Sequence, residues 1–309
     1  MTTAPTPSIV RIGPAGWSYP EWRGIVYPKF RSRGFHELEY LAQFFSTVEI
    51  NTSFYNPPRP AVVTEWIRQV EHNQDFTFTA KLWRGFTHDR NASPQDERIF
   101  KDGIVPLAEA RRLGALLLQF PWSFKNEAEN RQYLAALCRR FAEYPLVVEV
   151  RHSSWNQEDV FEMLAELGVG FCNIDQPLIG RSFGPGQNVT APVGYVRLHG
   201  RNYKEWFAVN RDPGERYNYL YSQEELEPWH ERIKNIAEQC RVTFVITNNH
   251  ARGQSVANAI QLAALIMGNA VQCPESLLTE YPNLTRIATA LQTPGIQAQL
   301  PLGNAQHRP

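Results

Sequence analysis

Eight short apolar runs, nearly all followed by a stretch of helical spacing, constrain this chain more than any other feature it has. The runs cover residues 9–13, 47–51, 76–81, 115–119, 146–151, 170–175, 194–199 and 242–247, each of ordinary strand length. Between them, residues 35–45, 61–70, 97–113, 127–141, 158–167, 223–239 and 255–267 repeat apolar side chains at helical spacing. Only residues 176–192, rich in Gly and Pro, offer a connection without a helix and are expected to be a loop. Strands alternating with helices imply parallel pairing through right-handed crossovers.

That pattern predicts an α/β fold, a single (β/α)8 TIM-type barrel over residues 9–292 with long aromatic loops after its strands. Residues 1–8 and 293–309 are expected to be flexible tails. A chain of 309 residues accommodates the roughly 250 that such a barrel needs. The rival is a doubly wound open sheet. Its dinucleotide fingerprint is missing after the first strand, where Gly13-Pro14-Ala15-Gly16-Trp17 lacks the third glycine and runs into aromatics.

Composition narrows the function classes. The 31 basic and 31 acidic residues cancel, so whole-chain charge gives no reason to wrap nucleic acid or to lie on an anionic membrane. Residues 1–8 have neither the basic start nor the apolar run of a secretory signal, and no apolar stretch approaches the roughly 20 residues that span a bilayer. Cys138, Cys172, Cys240 and Cys273 are widely spaced without a C-x-x-C pair, which favours reduced thiols and a cytoplasmic location.

Side chains on a strand alternate between faces, and this parity locates a candidate site. Counted along each run, one parity ends in polar residues: Glu49 and Asn51, Lys81, Gln119, Glu149 and Arg151, Asp175, Arg197 and His199, and then Asn249. Ionised groups are rarely buried without partners. A ring of polar residues facing one barrel mouth is therefore expected, at the C-terminal strand ends where barrels carry chemistry.

The motifs resemble those of domain-of-unknown-function family 72, the YecE-like proteins. They are Ile12-Gly13-Pro14-Ala15-Gly16-Trp17-Ser18-Tyr19 with Trp22 and Tyr27-Pro28, then Glu39-Tyr40-Leu41-Ala42 and Thr47-Val48-Glu49-Ile50-Asn51-Thr52-Ser53-Phe54-Tyr55. Leu118-Gln119-Phe120-Pro121, Glu149-Val150-Arg151-His152-Ser153-Ser154-Trp155, Tyr195-Val196-Arg197-Leu198-His199-Gly200 and Asn248-Asn249-His250 follow in order, so that the resemblance covers about residues 9–268. Pro14-Ala15 and Phe120 depart conservatively from the commoner residues. The resemblance implies a barrel and leaves the reaction unassigned.

The residues themselves point to an enzyme acting by carboxylate acid/base chemistry on an anionic substrate, phosphorylated or sugar-containing and including one derived from nucleic acid. Glu49 and Glu149 are the expected acid/base pair, as in glycoside hydrolysis, with His199 as proton shuttle. Lys81, Arg151 and Arg197 would hold the anion. Trp17, Asn51, Tyr55, Gln119, Trp155, Asp175 and Asn249 would complete the substrate contacts. A permanent ion-pair network of the same carboxylates and arginines is the alternative.

Residues 201–222, with Pro213-Gly214 at their middle, are a candidate lid. His88, His152, His199 and His250 all follow strands, and a metal-dependent phosphoesterase is a second alternative; a non-catalytic nucleic-acid-binding protein is a third. Neither G-x-S-x-G nor a P-loop occurs. No cofactor, no bound metal and no membrane is expected, and no protein partner is inferable from the sequence. The expected partner is a small anionic molecule or a nucleic-acid fragment.

Overall fold

A computed structural model describes residues 8–206 and 214–291. Eight parallel strands form the barrel: β1 (Ile9–Pro14), β2 (Thr47–Ile50), β3 (Thr77–Lys81), β4 (Leu113–Gln119), β5 (Leu146–Glu149), β6 (Gly170–Asp175), β7 (Val193–Leu198) and β8 (Val242–Thr247). Helices return the chain on the outside: α1 (Glu37–Leu41), α2 (Thr52–Tyr55), α3 (Pro60–Gln69), α4 (Arg84–Thr87), α5 (Pro94–Glu109), α6 (Ala128–Arg140), α7 (Glu158–Glu166), α8 (Gln223–Ala237) and α9 (Gln254–Met267). Residues 176–192 carry no helix, as their breakers require. The expected tails lie outside the described residues, apart from Ser8.

Seven strand pairs form parallel ladders, with a register shift between Phe78 and Thr79 in the β3–β4 pair; the eighth seam, between β1 and β2, is drawn shut by backbone contacts just beyond β1. There Gly16 N–H donates to the Glu49 carbonyl at 2.8 Å, while on the other side Ala15 N–H extends the β1–β8 ladder to the Thr247 carbonyl at 2.9 Å. The approach is close enough that a Cβ on Gly13 would lie 1.9 Å from the Thr47 carbonyl oxygen. Only glycine fits.

Local signals explain where the helices begin and end. Residues 97–113 form α5 three residues earlier than their apolar spacing suggests, because Ser93 and Asp96 build a capping box and Pro94 takes the first helical position. It ends at Glu109, and Arg111 then adopts a left-handed φ of 55°. Residues 35–45 keep only the short α1. The outer faces of the strands supply an apolar layer against the helices, with Val48, Ile50, Phe78, Ala80, Leu116, Leu118, Val148 and Val150 all buried.

After α9 the chain adds β9 (Val271–Cys273), α10 (Glu275–Glu280) and β10 (Ala288–Ala290), with β9 and β10 paired in parallel. Cys273 and Leu277 join Trp22 and Val26 in one buried cluster, and Ser276 Oγ donates to the Val26 carbonyl at 3.1 Å. This extension braces the loop after β1, which carries aromatic residues to the barrel mouth. Among the described residues no helix is long and apolar enough to cross a membrane.

Candidate active site at the strand ends

Register across the strands decides which side chains share the interior. Glu49 lies opposite Thr79, Gln119 opposite Glu149, Cys172 opposite Tyr195, and Arg197 opposite Ile246, and all of these face inward. One layer of this interior is ionic. The Arg197 guanidinium donates through Nη2 to Glu49 Oε1 and through Nη1 to Glu149 Oε2, each at 2.6 Å. Tyr195 Oη donates to Glu49 Oε2 at 2.9 Å and lies 2.8 Å from Thr79 Oγ1. Glu49, Glu149 and Arg197 are all 0% exposed.

The next layer rests on Glu149. Arg151 Nε donates to Glu149 Oε1 at 3.0 Å, and His199 Nε2 sits 3.2 Å from the same oxygen. Asn248 Nδ2 lies 3.0 Å from His199 Nδ1. An amide nitrogen only donates, so Nδ1 accepts and Nε2 carries the ring proton toward Glu149. Burial, with Arg151 and Arg197 nearby, pushes His199 down to about 3 and outweighs Glu149, so the ring is neutral at pH 7. For Glu149 burial alone would raise the pKa, but Arg197, His199 and Arg151 more than reverse that and hold it well below the usual carboxylate range.

Above this floor the mouth divides into two chambers of about 430 and 420 Å3. The first is walled by Trp17, Tyr19, Tyr55 and Trp66, with Asn51, Asn248 and His250 as polar groups. The second is lined by Lys81, Arg84, Arg151 and Arg216 with His88, Gln119, Gln176, Trp122 and Trp206, and no carboxylate stands among its described lining. Lys81, Tyr55 and Tyr217 border both. Lys81 Nζ stands 4.1 Å from the centroid of the Phe54 ring, against whose edge His88 packs at 4.9 Å. Burial, followed by the charge of Arg197, pushes the Lys81 amine down to about 7, and burial with Lys81 and Arg151 pushes His88 down to about 4.

A family model described as a protein of unknown function, DUF72, matches residues 11–281. The chain belongs to the DUF72 family. It is 30% identical to the UPF0759 protein YunF of Bacillus subtilis over 280 residues, covering 84% of this chain and 95% of that one. It also superposes on a crystal structure of a DUF72 protein of Thermotoga maritima with a TM-score of 0.74 and 33% identity, covering 84% and 99% of the two chains. A DUF72 protein of Enterococcus faecalis gives a TM-score of 0.72 at 25% identity, over 84% and 96%.

In this DUF72 barrel the residues expected at the mouth separate into three groups. Trp17, Asn51, Tyr55, Lys81, Gln119 and Arg151 line the two chambers. Glu49, Glu149, Arg197 and His199 are brought together beneath them, where solvent does not reach.

Trp155, Asp175 and Asn249 are placed elsewhere, and for these the expectation is corrected. Trp155 is fully buried, stacked on Phe124 at 5.2 Å, with its indole N–H on the Phe124 carbonyl at 2.7 Å. Asp175 pairs in register with Leu198 on the helix-facing side of the sheet. There its oxygens accept from Trp229 Nε1 at 2.6 Å, Tyr221 Oη at 2.9 Å and Arg201 at 2.7 and 2.8 Å. Asn249 also points outward, donating to the Tyr219 carbonyl and to Asn258 Oδ1, both at 2.7 Å.

The mouth residue after β8 is Asn248, which continues the inward parity of Phe244 and Ile246; counting from those two would have found it. Trp206, Arg216 and Tyr217 belong to the expected lid, whose residues 207–213 lie outside the described set. Trp206 packs over the Arg151 guanidinium at 5.7 Å, and Tyr217 lies 5.4 Å from His250. The four histidines are dispersed: His152 packs on Trp122, His250 stacks on Tyr19, His88 meets Phe54 and His199 meets Glu149. Among the described residues no three His, Cys, Asp or Glu side chains form a group able to hold a metal ion.

Proposed function

We propose that this DUF72 protein is an enzyme whose substrate is a small anionic molecule, phosphorylated or carrying a sugar acid, bound between Lys81, Arg151 and Arg216. The observation that carries this is the second chamber, lined by Arg84, Arg151, Arg216 and Lys81 without a carboxylate among its described residues. Arg84 is already engaged by Asp89 at 2.9 Å, and Arg151 is half-committed to Glu149. The remaining positive charge repels itself until an anion enters, and guanidinium forks match phosphate or carboxylate oxygens in pairs. Chambers of about 420 Å3 suit a small molecule rather than a polymer.

In this reading the carboxylate pair changes role. Neither Glu49 nor Glu149 reaches the chambers, and Glu149 stays ionised, so it supplies a fixed charge that orients Arg151 and His199. Protons at the substrate are exchanged by Lys81, the mouth group pushed to about 7, where acid and base forms coexist at neutral pH. The aromatic wall of the first chamber would hold the uncharged body of the substrate by stacking. The four cysteines are buried, unpaired thiols, which supports a cytoplasmic setting.

Titration calorimetry with inorganic phosphate and with glucose 6-phosphate tests the proposal. Binding that weakens at least tenfold in Arg151→Met is expected. Equal affinity in the variant, or no binding of either compound below 10-millimolar order, about the weakest affinity worth assigning to a site, defeats it.

A further inference from the structure

Lys81 is unlike the other cations of the mouth. Its backbone is fixed at the end of β3, where the Ser53 hydroxyl donates to its carbonyl at 2.7 Å. Its side chain is 9% exposed and leans on Phe54, and it is a wall of both chambers. The two nearby carboxylates are already taken: Glu49 by Arg197 and Tyr195, Glu149 by Arg197, Arg151 and His199. Among the described residues no carboxylate stands within ion-pair distance of the Lys81 amine. For this buried amine, desolvation and the charges of Arg197 and Arg151 outweigh the pull of Glu49 and Glu149, so its proton is held only loosely.

We propose that Lys81 is a nucleophile that captures the carbonyl carbon of an anionic aldehyde, ketone or 2-oxo acid as a Schiff base. This rests on the anionic-substrate reading above and names the reacting group. The anion would lie on Arg151 and Arg216 in the second chamber, leaving the carbonyl beside the amine on the dividing wall. The free amine attacks the carbonyl carbon, a C–N bond forms, and an amine proton passes to the carbonyl oxygen. The C–O bond then breaks, the oxygen leaves as water with one proton from solvent, and a protonated imine remains. Tyr55 and Tyr217, whose side chains border the same two chambers, are placed to relay that proton. The position of the amine near pH 7 in its titration makes the nucleophilic form available under neutral conditions, as desolvated lysines in imine-forming sites require.

The proposal is tested with the full chain incubated with dihydroxyacetone phosphate, with pyruvate or with neutral dihydroxyacetone, each in the presence of sodium cyanoborohydride. Peptide mass spectrometry then locates the reduced adduct. The expected result is one adduct on Lys81 with at least one of the two anionic carbonyls, formed at least tenfold faster than on other lysines. Its rate should rise with pH to a plateau with a midpoint near 7. Lys81→Met and Lys81→Arg should both lose it, and the arginine variant keeps the charge in case the methionine variant folds poorly.

Labelling spread evenly over surface lysines, or undiminished in Lys81→Arg, overturns the proposal. So does the absence of a Lys81 adduct with all three compounds. If phosphate binds and Arg151→Met weakens it while no adduct forms, the imine step alone fails. If Lys81 reacts as fast with dihydroxyacetone as with its phosphate, the amine chemistry stands and the anionic-substrate reading fails.

Discussion

Arg197 meets Glu149 at 2.6 Å in a layer where neither side chain touches solvent, and its other nitrogen meets Glu49 at the same distance. Two buried carboxylates sharing one guanidinium are tolerable only while that guanidinium is present. Arg197→Met should therefore cost about 3–5 kcal/mol, the usual penalty for orphaning buried charge. Arg197→Lys keeps the charge but loses the fork, and should fall between wild type and methionine. Urea unfolding measures both; a loss under about 1 kcal/mol in the methionine variant would show that water reaches this layer.

The same layer sets an acid limb. Glu149 is held below its ordinary pKa in the folded chain, so its contribution is fully present above the unfolded value, about 4.3. That contribution is lost as pH falls through the folded value. Wild-type stability should drop from about pH 5 downward. In Glu149→Gln that part of the slope should be missing, although the variant is less stable at pH 7. Parallel acid limbs in urea midpoints collected from pH 7 to 3 would contradict an ionised Glu149.

Lys81 gives a slope of the same sign in a higher pH range, but as a cost of burial rather than a contribution. Its folded pKa, about 7, lies below the unfolded value, so the unfolded chain takes the proton first as pH falls. Keeping Lys81 buried is therefore a cost that grows as pH drops from about 10.4 to 7 and is constant below. Lys81→Met should be more stable than wild type at pH 6, on the order of 2–4 kcal/mol, with the gap closing by pH 10. Thermal unfolding across that range measures it. A gap independent of pH would mean that the amine is solvated.

Strand alternation made the barrel and most of the site legible because both rest on local spacing. Glu49, Glu149, Arg197 and His199 fall on the inward parity that their own strands dictate. Asp175 and Asn249 do not, because a polar residue at a strand end can face either the mouth or the helices. β6 alternates Phe171, Asn173 and Asp175 with Cys172 and Ile174, and here the apolar set is the one that faces the barrel interior. What settles Asp175 is the Trp229 indole on α8 and Arg201, contributed from 54 and 26 residues away, and no local spacing announces such partners. Trp155 differs from expectation for a similar reason: aromatic residues in a loop after a strand serve equally as wall or as wedge, and Trp155 wedges against Phe124. The depth of the carboxylates was equally hidden, since it depends on Arg197 rising between them from another strand.

Asn248 and Asn249, adjacent but on opposite sides of the sheet, allow that correction to be checked. Asn248→Ala removes the donor to His199 Nδ1 and alters the floor of the first chamber. It should weaken ligand affinity several-fold at little cost in stability. Asn249→Ala strips donors from the Tyr219 carbonyl and Asn258 in a buried setting, at about 1–3 kcal/mol, and should leave phosphate affinity unchanged. Calorimetry beside thermal unfolding separates the two. Reversed effects would restore Asn249 to the mouth.

Gly13 joins the fold to the site. A methyl group there would stand 1.9 Å from the Thr47 carbonyl oxygen, so β1 and β2 must part to admit it. Those strands carry Trp17 on the loop beyond one and Glu49 and Asn51 at the end of the other, and Gly16 N–H on the Glu49 carbonyl registers them. Separation would strain the seam and shift Glu49 from Arg197, with a cost of at least about 3 kcal/mol expected from overpacking together with a weakened buried ion pair. Gly13→Ala should lower the urea midpoint accordingly and weaken anion binding together with it, because Arg197 and Arg151 hang on one carboxylate floor. If the substitution lowered stability yet left phosphate affinity intact, the second chamber would be independent of the seam and Glu49 would have no part in holding it.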